Sequence, residues 1–95
     1  MPELINDTIE RLFDKYETCL LHEKEAVKNE EYEYAKMYKD DASYILEMIK
    51  RKPLIEKLEF VVELGFRKGL AEKINDEDAI TRLGEYINLF WKEII

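Results

Sequence analysis

Turn-forming residues are scarce in this 95-residue sequence, which has three glycines and two prolines. A fold of many short strands needs more turns than these residues supply, so the composition excludes a many-turned β fold. Hydrophobic residues make up 46% of the chain and charged residues 39%. This composition is typical of a compact helical chain and too apolar for a disordered one. We therefore predict a single helical domain spanning residues 1–95.

Cysteine occurs once, at Cys19, so no intrachain disulfide can form. A single cysteine fits a reducing compartment. The sequence also lacks an apolar run long enough to cross a membrane. Its start, MPELINDTIERLF, carries acids from Glu3 onward where a signal peptide would have a basic region followed by an apolar one. These features predict a cytoplasmic protein that does not associate with membranes.

Basic residues are outnumbered, with 15 against 22 acidic residues and a net charge of −7. An acidic chain repels phosphate, so we predict no direct nucleic-acid binding. The acids are concentrated early, because residues 1–34 carry ten acids against four bases. The cluster Lys50-Arg51-Lys52 is either a small basic patch or a complement to the dipole at a helix end.

Apolar residues recur every three or four positions in four segments, which is the period of amphipathic helices. The predicted helices cover residues 3–28, residues 30–51, a segment opened by Pro53 and a last segment that begins after Asn75. Gly65 and Gly69 weaken the third helix, so its end, GLAEKI, is predicted either to continue it or to form a separate turn. The predicted apolar side of the third helix is Leu54, Ile55, Leu58, Val61, Val62 and Phe66.

Short connections make sequential helices antiparallel neighbours. We therefore predict an all-α fold of two antiparallel helical hairpins, closed as a four-helix bundle or completed by dimerisation. The predicted turns lie at Asn29, which tolerates the left-handed conformation, and at Asn75, which with Asp78 resembles a capping arrangement.

The second predicted helix is apolar on more than one side. A second face holds Met37, Tyr44 and Met48, and Asp41 lies between them. The main stripe consists of Tyr32, Ala35, Tyr38, Ala42, Ile45 and Ile49. Such a helix either packs between two neighbours of its own fold or presents one face to a partner. Tyr and Trp are over-represented among the residues that dominate binding energy. The candidate protein-interaction residues are Tyr34, Met37, Tyr44, Met48, Tyr86 and Trp91.

Residues 25–41, EAVKNEEYEYAKMYKDD, resemble the UVR motif, a helical hairpin of bacterial excision-repair nuclease subunits and of some Clp-type chaperone ATPases and adaptors. The matching positions are Ala26, the turn at Lys28-Asn29, Glu31, Tyr32, Glu33, Ala35 and Lys39-Asp40. The sequence departs from the motif at Lys36, Tyr38 and Ala42. The resemblance implies a protein-docking hairpin that can pair with another copy of itself. It does not imply nuclease or ATPase activity, and the chain lacks a GxxxxGK[ST] phosphate loop.

Candidate catalytic groups are few. His22 is the only histidine, and a catalytic histidine needs a nucleophile or an orienting acid nearby in space. Glu23 and Glu25 are close in the sequence but point elsewhere on a helix, so a surface or boundary position is predicted for His22. Cys19 lies at a core-like position, where cysteine behaves as a small hydrophobe. The residue three before His22 is Cys19 rather than glutamate, so the Glu-x-x-His pair of a dimetal bundle is missing. We predict no metal, no cofactor and no enzymatic activity.

Two functional hypotheses follow. The first is a small protein-binding module or adaptor that docks another protein through its hairpin surfaces and self-associates as a homodimer. The second is an acidic inhibitor, of the kind carried by phages and mobile elements, that occludes a nucleic-acid-binding or regulatory partner. Charge-led binding weakens steeply as salt rises, whereas apolar docking does not, so salt dependence separates them.

Overall fold

The structure, a computed structural model, describes residues 7–95 and is all-helical within that range, without a strand. The helices are α1 (Ile9–Lys28), α2 (Tyr32–Lys50), α3 (Leu54–Lys73) and α4 (Glu77–Leu89), and a π-helical turn (Phe90–Ile94) follows α4. The predicted all-α class is confirmed. No helix among the described residues is both long and apolar enough to cross a membrane.

The chain divides into two compact units, Met1–Arg51 and Lys52–Ile95. In the first unit α1 packs against α2, and in the second α3 packs against α4. We call these units the first and second hairpins. The two predicted hairpins are therefore present, whereas closure into one four-helix domain and dimerisation stay predictions.

The first hairpin begins at Thr8, whose side-chain oxygen accepts a hydrogen bond from the backbone N–H of Arg11 at 3.2 Å. This is a standard N-cap, so α1 begins later than the predicted residue 3. Residues 3–6 of the predicted first helix lie outside the described residues. Asp7 lies before the cap, and its carboxylate accepts a hydrogen bond from Lys15 Nζ at 2.6 Å.

Both hairpin turns end their first helix in the same way. After α1, the N–H of Glu30 donates to Val27 O at 3.1 Å and the N–H of Glu31 donates to Ala26 O at 2.8 Å. This pair of bonds defines a Schellman motif, whose left-handed residue is Glu30 with φ 61°. Asn29 is the C-cap of α1, so the predicted break at Asn29 is present. Its φ is −89°, and the left-handed conformation that asparagine tolerates is taken by Glu30 instead.

The second turn repeats the motif after α3. The N–H of Asn75 donates to Glu72 O at 3.2 Å and the N–H of Asp76 donates to Ala71 O at 3.0 Å. Asn75 is the left-handed residue here, with φ 56°. Asp76 then caps α4 by accepting a hydrogen bond from the N–H of Ala79 at 3.2 Å. The predicted stop at Asn75 is present, but the cap is Asp76 rather than the predicted pair of Asn75 and Asp78.

The buried side chains of the first hairpin come from one stripe of each helix. They are Ile9, Leu12, Phe13 and Ala26 of α1, with Ala35, Ala42, Ile45, Met48 and Ile49 of α2. Four of these α2 positions follow the predicted main stripe, while Tyr32, at its start, is exposed.

The second hairpin buries Val61 of the predicted apolar side of α3 but leaves most of that side exposed. Its buried residues are Phe60, Val61, Leu64 and Ala71 of α3, with Ala79, Leu83, Phe90 and Ile94 of the following segments. Of the predicted stripe, Leu54, Ile55, Val62 and Phe66 are exposed. The prediction is wrong at these positions because α3 carries apolar residues on opposite sides, and periodicity alone does not say which side faces α4. The helix is continuous through both glycines.

Candidate protein-interaction surface

A groove on the first hairpin brings together side chains of α1 and α2. Its volume is about 380 Å³. The lining residues are Asp14, Lys15, Thr18, Cys19, Asp41, Tyr44 and Ile45. We call it the Tyr44 groove. Tyr44 is 43% exposed and Ile45 is buried, so an apolar floor is bordered by an accessible aromatic ring. Such a groove can take up an apolar side chain of a partner.

The other candidates on α2 lie in different surroundings. Met37 is 45% exposed and precedes Tyr44 by two helical turns, on the same side of the helix. Met48 is buried, at 7% exposure, so its prediction as a surface contact is wrong. Met48 follows Tyr44 by one turn and directly precedes the fully buried Ile49, and it belongs to the hairpin core.

Tyr34 lines a second groove of about 390 Å³, near the turn of the first hairpin. Its lining residues are His22, Glu25, Ala26, Asn29, Glu31, Tyr34 and Tyr38. We call it the His22 groove. The rings of His22 and Tyr38 meet edge to face, with centroids 5.1 Å apart. His22 is exposed, as predicted, and its ring packs on a tyrosine of α2.

Cys19 is partly buried in the Tyr44 groove. Burial, and secondly the negative charge of Asp41, raise the pKa of the Cys19 thiol above its ordinary value. A nucleophilic cysteine needs a lowered pKa, because the thiolate is the reactive form. The surroundings of Cys19 therefore favour the thiol and suit a small apolar lining residue.

The two C-terminal candidates lie on the second hairpin. Tyr86 of α4 is half-buried, and Trp91 of the π-helical turn is 54% exposed. Trp91 directly follows the fully buried Phe90. Lys57 Nζ donates to Ile94 O at 3.1 Å, which ties the same turn to α3. The turn therefore holds Trp91 at the surface on a segment that is fixed by its neighbours.

Sequence reasoning did not identify an exposed apolar face on α3, although the predicted apolar side of this helix contains Ile55, Val62 and Phe66. Five residues, spaced seven, four, four and four positions apart, are between 58% and 73% exposed: Ile55, Val62, Phe66, Leu70 and Ile74. We call them the α3 outer face. The sequence signal of such a face is the presence of apolar residues on both sides of α3.

Charge is distributed unequally between the hairpins. Residues 1–51 carry 13 acids and 8 bases, a net charge of −5. Residues 52–95 carry 9 acids and 7 bases, a net charge of −2. Within the described range, no three His, Cys, Asp or Glu side chains are placed to hold a metal ion.

The chain matches no protein-family model, no curated protein and no solved structure.

Proposed function

We propose that this chain is a small cytoplasmic protein-binding module without enzymatic activity, which acts as an adaptor and also self-associates. The occupant of its Tyr44 groove is a segment of another protein that offers an apolar side chain flanked by Lys or Arg. The observation that carries the proposal is the exposed Tyr and Met side chains of α2 beside a groove with an apolar floor.

Apolar contact with a partner would involve Tyr44, Met37 and Ile45. Tyr44 and Met37 lose water-accessible apolar surface when covered, and aromatic residues and Met are enriched at the centres of protein interfaces. Ile45 and Cys19 supply a floor that holds no charged group. An inserted aliphatic side chain would therefore replace water without leaving a polar atom unpaired.

The charge of the partner follows from the groove border. Asp14 and Asp41 line the groove, and the one lysine there, Lys15, already contacts Asp7 at 2.6 Å. The whole first hairpin has a net charge of −5. Complementary potential therefore selects a basic partner segment and speeds its association.

The resemblance of residues 25–41 to the UVR motif supports a docking role for the same hairpin. The turn between α1 and α2 lies within these residues. At the start of α2, Tyr32 and Glu33 are exposed, whereas Ala35 is buried. A docking hairpin needs both kinds of position, because buried residues hold its two helices together and exposed residues contact the partner. We propose kinship with that motif on these grounds.

The uneven distribution of charge supports a second candidate function, that of an acidic inhibitor. The first hairpin carries −5 of the total −7. In this alternative the acids themselves occupy the phosphate-binding surface of a partner, and the Tyr44 groove contributes little.

Parallel affinity capture from the source organism tests the proposal. The baits are the wild-type chain, Tyr44→Ala and the control Leu21→Ala, which removes an apolar side chain that is 57% exposed on α1 outside both grooves. The captured protein is then purified and titrated with each bait. We expect Tyr44→Ala to weaken binding by about tenfold or more and Leu21→Ala to leave it within about twofold.

Two outcomes would overturn this assignment. If Tyr44→Ala and the wild type bind the partner equally, the Tyr44 groove is not part of the interface. A steep loss of affinity as salt rises, together with insensitivity to Tyr44→Ala, would favour the acidic inhibitor instead.

A further inference from the structure

Helix α3 carries two apolar sides, and α4 covers one of them. Phe60, Leu64 and Ala71 are buried on the inner side. The α3 outer face defined above lies opposite, and its central residue, Phe66, is 68% exposed. Helices that are apolar around their circumference are typical of positions covered on both sides. The apolar outer face is thus the part of the second hairpin that we expect a partner to cover.

The charges along α3 indicate which partner helix would fit on the outer face. Its first ten residues, 54–63, hold three acids (Glu56, Glu59, Glu63) and one base (Lys57), a net charge of −2. Its last ten, 64–73, hold three bases (Arg67, Lys68, Lys73) and one acid (Glu72), a net charge of +2. A second α3 in antiparallel orientation places each negative half over a positive half. A parallel copy would place like charges together.

Two glycines border the outer face. Beyond the glycine's own helical neighbours, no atom of the described residues lies within 4 Å of a Cβ atom built on Gly65 or Gly69, so the packing of these residues does not require glycine there. Glycine within a helix is unfavourable, because it increases the entropy lost on folding. Because glycine has no side chain, a second helix can approach the backbone closely at these two positions, which lie one turn apart.

We propose that a second copy of this chain binds the α3 outer face, with the two α3 helices antiparallel. The twofold axis crosses the outer face between Val62 and Phe66, level with Leu64 along the helix. The contact is isologous, since each copy presents the same apolar face and the same charge order. This inference depends on the proposed function only for the self-association of the chain. It assigns that self-association to the α3 outer face. The Tyr44 groove is not part of this face.

The size of the face sets the expected strength of the dimer. A 20-residue helix is about 30 Å long and about 10 Å wide, and α3 has 20 residues. One such contact buries less than the roughly 800 Å² per partner of a standard stable complex. We therefore expect a concentration-dependent monomer–dimer equilibrium with a micromolar Kd.

Sedimentation equilibrium of the full chain over a range of concentrations tests the proposal. Phe66→Glu places a charge at the centre of the face, and the matched control Leu21→Glu places the same charge at an exposed apolar position of the first hairpin. We expect the wild type and Leu21→Glu to dimerise alike, and Phe66→Glu to remain monomeric with unchanged helical circular dichroism. Because Phe66 is exposed, its replacement should leave the second hairpin folded.

Spin labels measure the orientation. In a Cys19→Ala background, a label on Glu72→Cys should give an intermolecular distance of about 25 Å in the antiparallel dimer and about 10 Å in a parallel one. The long distance supports the proposal, and the short distance overturns it.

Three further outcomes would overturn the proposal. A wild-type chain that stays monomeric would assign the face to another occupant, including another segment of the same chain. A dimer that survives Phe66→Glu, or is lost equally with Leu21→Glu, would place the contact elsewhere. None of these results would affect partner binding through the Tyr44 groove, so failure of this proposal and failure of the docking function are distinguishable.

Discussion

The rings of Phe60 and Phe90 lie with their centroids 5.4 Å apart and their planes inclined by 36°, which joins α3 to the π-helical turn. Phe90 is completely buried. Replacing Phe90 by Ala removes this ring contact and leaves a cavity, so we expect a loss of about 3–5 kcal/mol in the free energy of unfolding. Chemical denaturation monitored by circular dichroism measures the loss.

The control for this prediction is Phe66→Ala. Phe66 belongs to the same helix but is 68% exposed. At a dilution where the chain is monomeric, its replacement should change the free energy of unfolding by no more than about 0.5 kcal/mol. Comparable losses in the two variants would contradict the inside–outside assignment of α3.

That assignment shows where sequence reasoning reached its limit for the fold. The four helices, their two hairpins and the core of α2 follow from periodicity, because α2 has a stripe of small and branched residues at Ala35, Ala42, Ile45 and Ile49. Helix α3 has apolar residues on opposite sides, so period alone cannot decide whether Phe60 or Phe66 faces α4. Only the packing of the second hairpin distinguishes them.

The left-handed residue of the first turn gives a prediction of increased stability. Glu30 has φ 61°, a conformation that costs about 1–2 kcal/mol for a residue with a Cβ atom. Glycine is the usual residue at this position of a Schellman motif. We therefore expect Glu30→Gly to stabilise the first hairpin by about 1 kcal/mol, as measured by thermal denaturation.

The equivalent change in the second turn serves as its control. Asn75 has φ 56°, but asparagine tolerates this conformation better than glutamate. Asn75→Gly should therefore give a smaller gain than Glu30→Gly. A loss of stability in Glu30→Gly would show that the glutamate side chain contributes more than its backbone strain costs.

For the candidate interaction residues, periodicity likewise predicts the side of the helix, whereas packing determines which residues on that side are exposed. Met37, Tyr44 and Met48 share one side of α2 in the sequence, and the first two are exposed as expected. Met48 is buried, as is the adjacent Ile49. A helical wheel assigns the same direction to all three residues, but it does not show how far the neighbouring structure extends along the helix.

The capping contact of α4 is expected to matter more than the acid two residues later. Asp76 accepts a hydrogen bond from the N–H of Ala79, so Asp76→Ala should cost about 0.5–2 kcal/mol of stability. Asp78→Asn removes only a charge near the helix N-terminus and should cost about 0.3–1 kcal/mol. Denaturant titration of both variants measures the difference, and a larger effect at Asp78 would contradict the assigned cap.

The thiol of Cys19 provides a prediction about pH. Its pKa is raised by burial and secondly by Asp41, from an ordinary value of 9.0. Between the unfolded and folded pKa values the folded chain therefore binds more protons than the unfolded chain. This contribution to stability is fully present below pH 9 and decreases as the pH rises through the folded pKa.

Alkylation rates test the cause of the shift. At alkaline pH, iodoacetamide should modify Cys19 more slowly in the folded chain than in urea, because less thiolate is present. Asp41→Asn should lower the folded pKa and speed the reaction, whereas Asp14→Asn, in the same groove, should have a smaller effect. Equal effects of the two variants in a pH–rate profile would contradict the role of Asp41.

Gly65 and Gly69 are expected to affect folding and self-association in opposite directions. Each has space for a Cβ atom, and alanine is favoured over glycine in a helix by about 0.5–1 kcal/mol. The double variant Gly65→Ala/Gly69→Ala should therefore raise the stability of the monomer, measured at high dilution. The added methyl groups would keep a second α3 from approaching the backbone, so sedimentation equilibrium should show a weaker dimer. A purely structural role for the glycines would change only the first quantity, and an unchanged or stronger dimer would show that the second helix does not approach these positions.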